Sequence, residues 1–130
     1  TELVAAGLAD RLPALLAVQA ANCAPLADAW RRGADDIAPV TARATVAEGI
    51  AIAAPPRAAQ ILAAVRASGG TIVTVDDDAI VAARRRLAGE GLFVEPTAAV
   101  CFAAATAAGD LPAGDDVVVP LCGAGLKHPA

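Results

Sequence analysis

Short β-branched runs alternate with helical stretches along most of this chain. That alternation constrains the fold more than any other feature. Strands are expected at residues 15–19, 71–75, 92–94 and 117–121. Helices are expected at residues 2–11, 25–32, 57–68, 76–88 and 96–108. Pro25 and Pro96 suit a first helical turn. Gly33, Gly69, Gly89 and Gly109 suit helix ends. Residues 34–44 read as a loop, and residues 45–52 are ambiguous, with an ordinary helix start at Thr45 as one reading.

Units of this kind give a parallel sheet. The expected fold class is α/β, a three-layer, mostly parallel sheet with helices on both faces. A length of 130 residues supports one domain, residues 1–130. Right-handed crossovers put the carboxyl ends of the strands on one edge, where such sheets bind ligands. Ala20, Asp76, Glu95 and Cys122 are expected to share that edge.

The 57% hydrophobic content is largely alanine, which buries little area. No apolar run reaches the roughly 18 to 20 residues of a membrane span. The net charge of −4 argues against nucleic acid, which needs a basic face. Two Phe, one Trp and no Tyr leave no platform for stacking bases. Three cysteines without a CxxC or Cys/His cluster fit a reducing cytoplasm and no structural metal. The single histidine, His128, lies in the tail and is expected to be exposed and inert. The first residues lack the basic start of a signal peptide. They open within a helical pattern, as a fragment would.

The last strand run carries the most chemistry. Val117-Val118-Val119 reads as a buried parallel strand between Asp115-Asp116 and Gly123. Gly123 and Gly125 let the backbone approach another group closely. Cys122 is open to three roles: core thiol, nucleophile or cofactor contact. A nucleophile needs a base or a positive neighbour, and the nearest in sequence are Lys127 and His128. Glu95 falls at an N-cap, where Glu is poorer than Asp or Ser. Its carboxylate either simply favours the positive helix end or serves a site. Thr45 and Glu48 have the spacing of a capping box. Asp76-Asp77-Asp78 is better explained by capping and dipole pairing than by metal or phosphoryl chemistry. Gly123-Ala124-Gly125 lacks the third glycine of a dinucleotide loop, and Lys127 lacks the Ser or Thr of a P-loop.

Four collinear stretches carry a resemblance: LLAVQAANCAPL (15–26), TVAEGIAI (45–52), GLFVEPTAAV (91–100) and VVVPLCGAGLK (117–127). Together they resemble the C-terminal part of threonine synthases. These belong to the tryptophan-synthase-β-like, or fold type II, class of pyridoxal-phosphate (PLP) enzymes. The last stretch is similar to the family's strand followed by Thr-Gly-x-Gly-Leu-Lys, with Cys122 in place of Thr. Several serine dehydratase-like members of the class carry Cys there.

The resemblance implies half of a fold type II cofactor domain, with PLP bound in the complete enzyme. Cys122 would face the pyridine nitrogen, beside Gly123. Glu95, in Glu-Pro-Thr, would lie beside the ring. Ala47, Glu48 and Gly49 would line one ring face through their backbone. No catalytic residue is implied within the chain. The family's Schiff-base lysine and phosphate loop belong to the N-terminal part, and Lys127 matches only the tail motif. The chain alone is therefore expected to be inactive, as a truncated piece or one part of a larger polypeptide.

The implied reaction converts O-phosphohomoserine and water to threonine and phosphate. The alternatives are a serine/threonine dehydratase, forming a 2-oxo acid and ammonia, and a non-catalytic flavodoxin-like binding domain. The resemblance further implies a small amino-acid substrate, a homodimer when complete, and a cytoplasmic enzyme that uses neither membrane nor nucleic acid.

Overall fold

The computed structural model describes residues 2–107 and 116–127. A parallel pair of strands, β1 (Leu16–Ala20) and β2 (Thr71–Val75), lies at its centre. Leu16 is in register with Thr71, and Ala20 with Val75. The Ala21 N–H donates to the Val75 carbonyl at 2.8 Å and carries the ladder one residue further.

Side chains alternate across a strand, so this pair feeds two cores. Ala17 and Ile72 face α2 (Pro25–Arg31) and α3 (Ala58–Ala67), where Leu26, Leu62 and Val65 are buried. Val18, Ala20, Val73 and Val75 face α4 (Asp77–Gly89) and α5 (Pro96–Thr106), against Ile80, Leu87 and Val100. Helices thus cover both faces of a parallel sheet, the α/β class expected from the alternation. A short α1 (Glu2–Ala5) buries no residue.

Helix starts are built as the sequence demands. Pro25 and Pro96 occupy first turns. Asp76 is the N-cap of α4, accepting the Ala79 N–H at 2.8 Å. At α2 the cap residue is Ala24, which has no acceptor. Buried Gln19 on β1 substitutes for it. Its Oε1 accepts the N–H groups of Leu26 and Ala27 at 2.9 and 3.0 Å. The first-turn amides are thus satisfied from the neighbouring strand.

Several expectations need correction. The helix over residues 2–11 stops at Ala5, because Gly7 turns the chain at φ +70 and the stretch has no core to pack on. Residues 92–94 form no strand; Val94 makes one isolated antiparallel bridge to Ala124. Residues 117–121 belong to no helix or strand and join no strand pair among the described residues, and Val118 is 90% exposed. The reading of a buried parallel strand there is therefore wrong for this structure. A strand needs a neighbour to exchange hydrogen bonds with, and among the described residues the sheet holds β1 and β2 alone. Residues 45–52 are a loop holding one 3-10 turn, Glu48–Ile50. The capping box of Thr45 and Glu48 does not form: the turn starts from Ala47, and the Thr45 hydroxyl oxygen accepts the Ala47 N–H while its O–H donates to Asp77. Asp115, Gly109, the last residue of the 96–108 helix and His128 lie outside the described residues.

Candidate active site

The start of α5 is the meeting point. Glu95 is its N-cap, with extended backbone (φ −73, ψ 159) and no side-chain capping bond. Its carbonyl accepts the N–H groups of Ala98 and Ala99 at 3.1 and 3.2 Å, which begins the helix. Its carboxylate is therefore not used as a cap, and the half-buried side chain lies against Gly123.

Residues 123–125 lie flat across residues 93–95. The Glu95 N–H donates to the Gly123 carbonyl at 2.9 Å, and the Gly125 N–H to the Phe93 carbonyl at 3.0 Å. A Cβ on Gly123 would overlap the Glu95 side chain. One on Gly125 would come within 2.9 Å of the Val94 carbonyl and the Phe93 ring. The close approach that the two glycines permit is therefore first of all to their own chain. Arg84 supports this ribbon from α4. Its Nε donates to the Val94 carbonyl at 3.0 Å, and its guanidinium stands 5.3 Å over the Phe93 ring.

Cys122 is held beside this ribbon with its side chain exposed, while Cys23 is buried and Cys101, on α5, is half-buried. Burial first, and then nearby Cys122, push the Cys101 thiol above its ordinary range. It therefore stays protonated and acts as a small apolar group on α5.

The loop after α2 supplies the other side. Ala47 is fully buried against the core on the α4–α5 side of the sheet. Gly49 abuts α5: a Cβ there would sit 3.1 Å from Thr97 Oγ1. Glu48 is exposed. Gly49, Glu95 and Gly123 thus meet at the first turn of α5, and Ala47, Glu48 and Cys122 flank them in the chain. Among the described residues, no cluster of three or more His, Cys, Asp or Glu is placed to hold a metal ion. No described helix is long and apolar enough to cross a membrane.

Sequence reasoning missed Asn22 and the true use of Asp77. Each reaches the loop before Ala47. Asn22 Nδ2 donates to the Ala44 carbonyl at 2.6 Å. The Asp77 carboxylate accepts from Thr45 Oγ1 at 2.6 Å and from the Val46 N–H at 3.2 Å. The signal was available for Asp77, since one cap needs one carboxylate and three consecutive Asp are present.

The chain is similar to known proteins in sequence and in fold. Threonine synthase of Methanocaldococcus jannaschii is 36% identical over 95% of this chain and 31% of that protein. Threonine synthase of Mycobacterium leprae is 37% identical over 99% of the chain and 35% of that protein. The chain therefore spans about a third of the length of these relatives. Among solved structures, the threonine deaminase of T.th. superposes with a TM-score of 0.61 at 29% identity, over 75% of this chain and 35% of that one. Maize serine racemase gives 0.60 at 25% identity, over 78% and 30%. The family described as pyridoxal-phosphate dependent enzyme matches residues 4–123. With nearly its whole length matched, and with its parallel sheet shared with these structures, the chain belongs to the pyridoxal-phosphate dependent enzyme family.

Proposed function

We propose that this chain is one α/β domain, the C-terminal cofactor-domain segment of a threonine synthase-like enzyme, and that it forms one wall of the PLP site. The observation that carries the reading is the convergence of three separate motifs at the first turn of α5. The residues there suit a pyridoxal ring. Ala47 and Gly49 offer backbone and little bulk, Cys122 an exposed thiol, and Glu95 a carboxylate free of capping duty. Bound PLP supplies an electron sink for the carbanion chemistry of amino acids.

The chain's own residues have simpler tasks. The Ala47–Gly49 backbone excludes water from one ring face. Cys122 serves the pyridine nitrogen as a weak donor through its S–H. Glu95 holds a negative charge beside the ring at the positive end of α5. The covalent lysine and the phosphate loop come from elsewhere in a longer polypeptide, which acts on an amino-acid substrate as a cytoplasmic homodimer.

The test uses the complete polypeptide with PLP, given O-phosphohomoserine, L-threonine or L-serine separately. Threonine and phosphate are expected from the first. Ammonia from serine or threonine, without phosphate release from the first, would instead support a dehydratase. The likeness to threonine deaminase favours that second reading. A polypeptide that takes up no PLP would overturn both readings. The chain by itself is expected to show no cofactor absorption band; a stable band that Lys127→Ala abolishes would refute this.

Cys122 gives a further prediction. In the complete enzyme Cys122→Ser is expected to keep PLP binding and turnover within about threefold, because a hydroxyl is also a neutral donor. Cys122→Asp is expected to shift the cofactor spectrum by favouring a protonated ring nitrogen. Collapse of turnover in Cys122→Ser with an unchanged spectrum would mark Cys122 as a nucleophile instead.

A further inference from the structure

Residues 43–47 lie outside any helix or strand, yet they are tied to the carboxyl ends of both strands. Asn22, just after β1, grips the chain twice. Its Nδ2 donates to the Ala44 carbonyl at 2.6 Å, and its own carbonyl accepts the Arg43 N–H at 2.9 Å. Asp77, just after β2, grips the next two residues. One carboxylate oxygen accepts from Thr45 Oγ1 at 2.6 Å and the other from the Val46 N–H at 3.2 Å. Thr45 Oγ1 in turn accepts the Ala47 N–H at 3.2 Å. Thr45 is 8% exposed and Ala47 is fully buried, so the bond between them is shielded from water and the Thr45–Asp77 bond is partly so, while the Asn22–Ala44 and Val46–Asp77 bonds lie at the surface. Helix capping does not account for Asp77, because Asp76 caps α4.

We propose that Asp77, acting through Thr45, is a positioning residue that fixes Ala47-Glu48-Gly49 against the start of α5, with Asn22 fixing the entry to that segment. The inference rests on the cofactor-lining role proposed above for residues 47–49. Its physical basis is direct. A carboxylate accepting two bonds is a strong anchor. Removing it leaves a buried hydroxyl and an amide without their acceptor. The segment then moves relative to α5, and the ring face it shields opens to water.

The test is made in the complete polypeptide with three readouts: PLP titration, induced circular dichroism of bound PLP, and amide hydrogen exchange over residues 45–50. Asp77→Ala and Thr45→Val are expected to weaken PLP binding about tenfold, the loss expected for buried bonding partners. Both should reduce the induced dichroism and speed exchange in residues 45–50, leaving β1 and β2 protected. Thr45→Ser keeps the hydroxyl and is expected to restore wild-type values within about twofold. Asp78→Ala, an exposed neighbour in the same helical turn, controls for the α4 dipole and should change none of the three. PLP affinity and local exchange unchanged in Asp77→Ala would overturn the proposal. So would equal effects from Thr45→Ser and Thr45→Val, or from Asp78→Ala and Asp77→Ala. A wild-type polypeptide that takes up no PLP would refute the cofactor reading instead, and the anchoring would then stand or fall on exchange alone.

Discussion

Gly123→Ala is expected to weaken PLP binding by the complete enzyme at least about tenfold, with little loss of folding stability. The two effects separate because of what the new methyl group would meet. It would overlap Oε1, Cδ and Cγ of Glu95, the outer part of a flexible side chain. That side chain can swing aside at small cost to the fold, since it makes no capping bond. Its carboxylate would then leave the place it holds against Gly123 at the start of α5. A double-mutant comparison isolates the cause. If displacement of Glu95 is the whole effect, Gly123→Ala combined with Glu95→Ala should bind PLP no worse than Glu95→Ala alone. A double variant about tenfold worse than Glu95→Ala would show that the glycine is required for another reason, such as direct approach of the cofactor. Unchanged PLP affinity in Gly123→Ala would remove Glu95 from the site.

The same glycine shows how far the sequence could be read. Gly123 and Gly125 announced a close approach, but nothing local named Phe93, Val94 and Glu95 as its object. Thr71–Val75 was legible as a strand because its alternation and its flanking signals, Gly70 and Asp76, are adjacent in sequence. Residues 117–121 have an equally apolar pattern and were misread. Pattern reports a preference for extended backbone; pairing depends on a neighbour that sequence does not reveal. The N-cap at Asp76 was readable from type and position. The Gln19 bonds to α2 were not, because they depend on strand and helix meeting in space. Gly49 and Gly123, from two separate motifs, both lie against the start of α5. Asp77 and Asn22 went unread: dipole pairing was accepted for all three aspartates although one cap needs only one of them, and Asn22 lies in a turn where Asn is unremarked.

Gly70→Ala is expected to cost the fold about 3 kcal/mol or more, the upper end of overpacking penalties. Its Cβ would overlap the nitrogen, carbonyl carbon and oxygen of Leu15. These are backbone atoms, so no side chain can swing away. The surroundings are also pinned. The Leu15 N–H donates to Ser68 Oγ at 3.1 Å, and the Leu15 carbonyl accepts the Thr71 N–H at 3.0 Å. The Gly70 N–H donates to the Val65 carbonyl at 3.1 Å, which also accepts Ser68 Oγ at 2.8 Å. Relief must therefore separate the start of β1 from the start of β2, and that opens the parallel pair on which both cores rest. Gly69 supplies the comparison. It adopts φ +69, and nothing lies within 4 Å of the place its methyl group would take, so Gly69→Ala meets conformational strain alone, on the order of 1 kcal/mol. Thermal or urea denaturation of the complete polypeptide should rank Gly70→Ala well below Gly69→Ala, and both below wild type. An equal or reversed ranking would show that the two chain segments do not meet as closely as the structure places them.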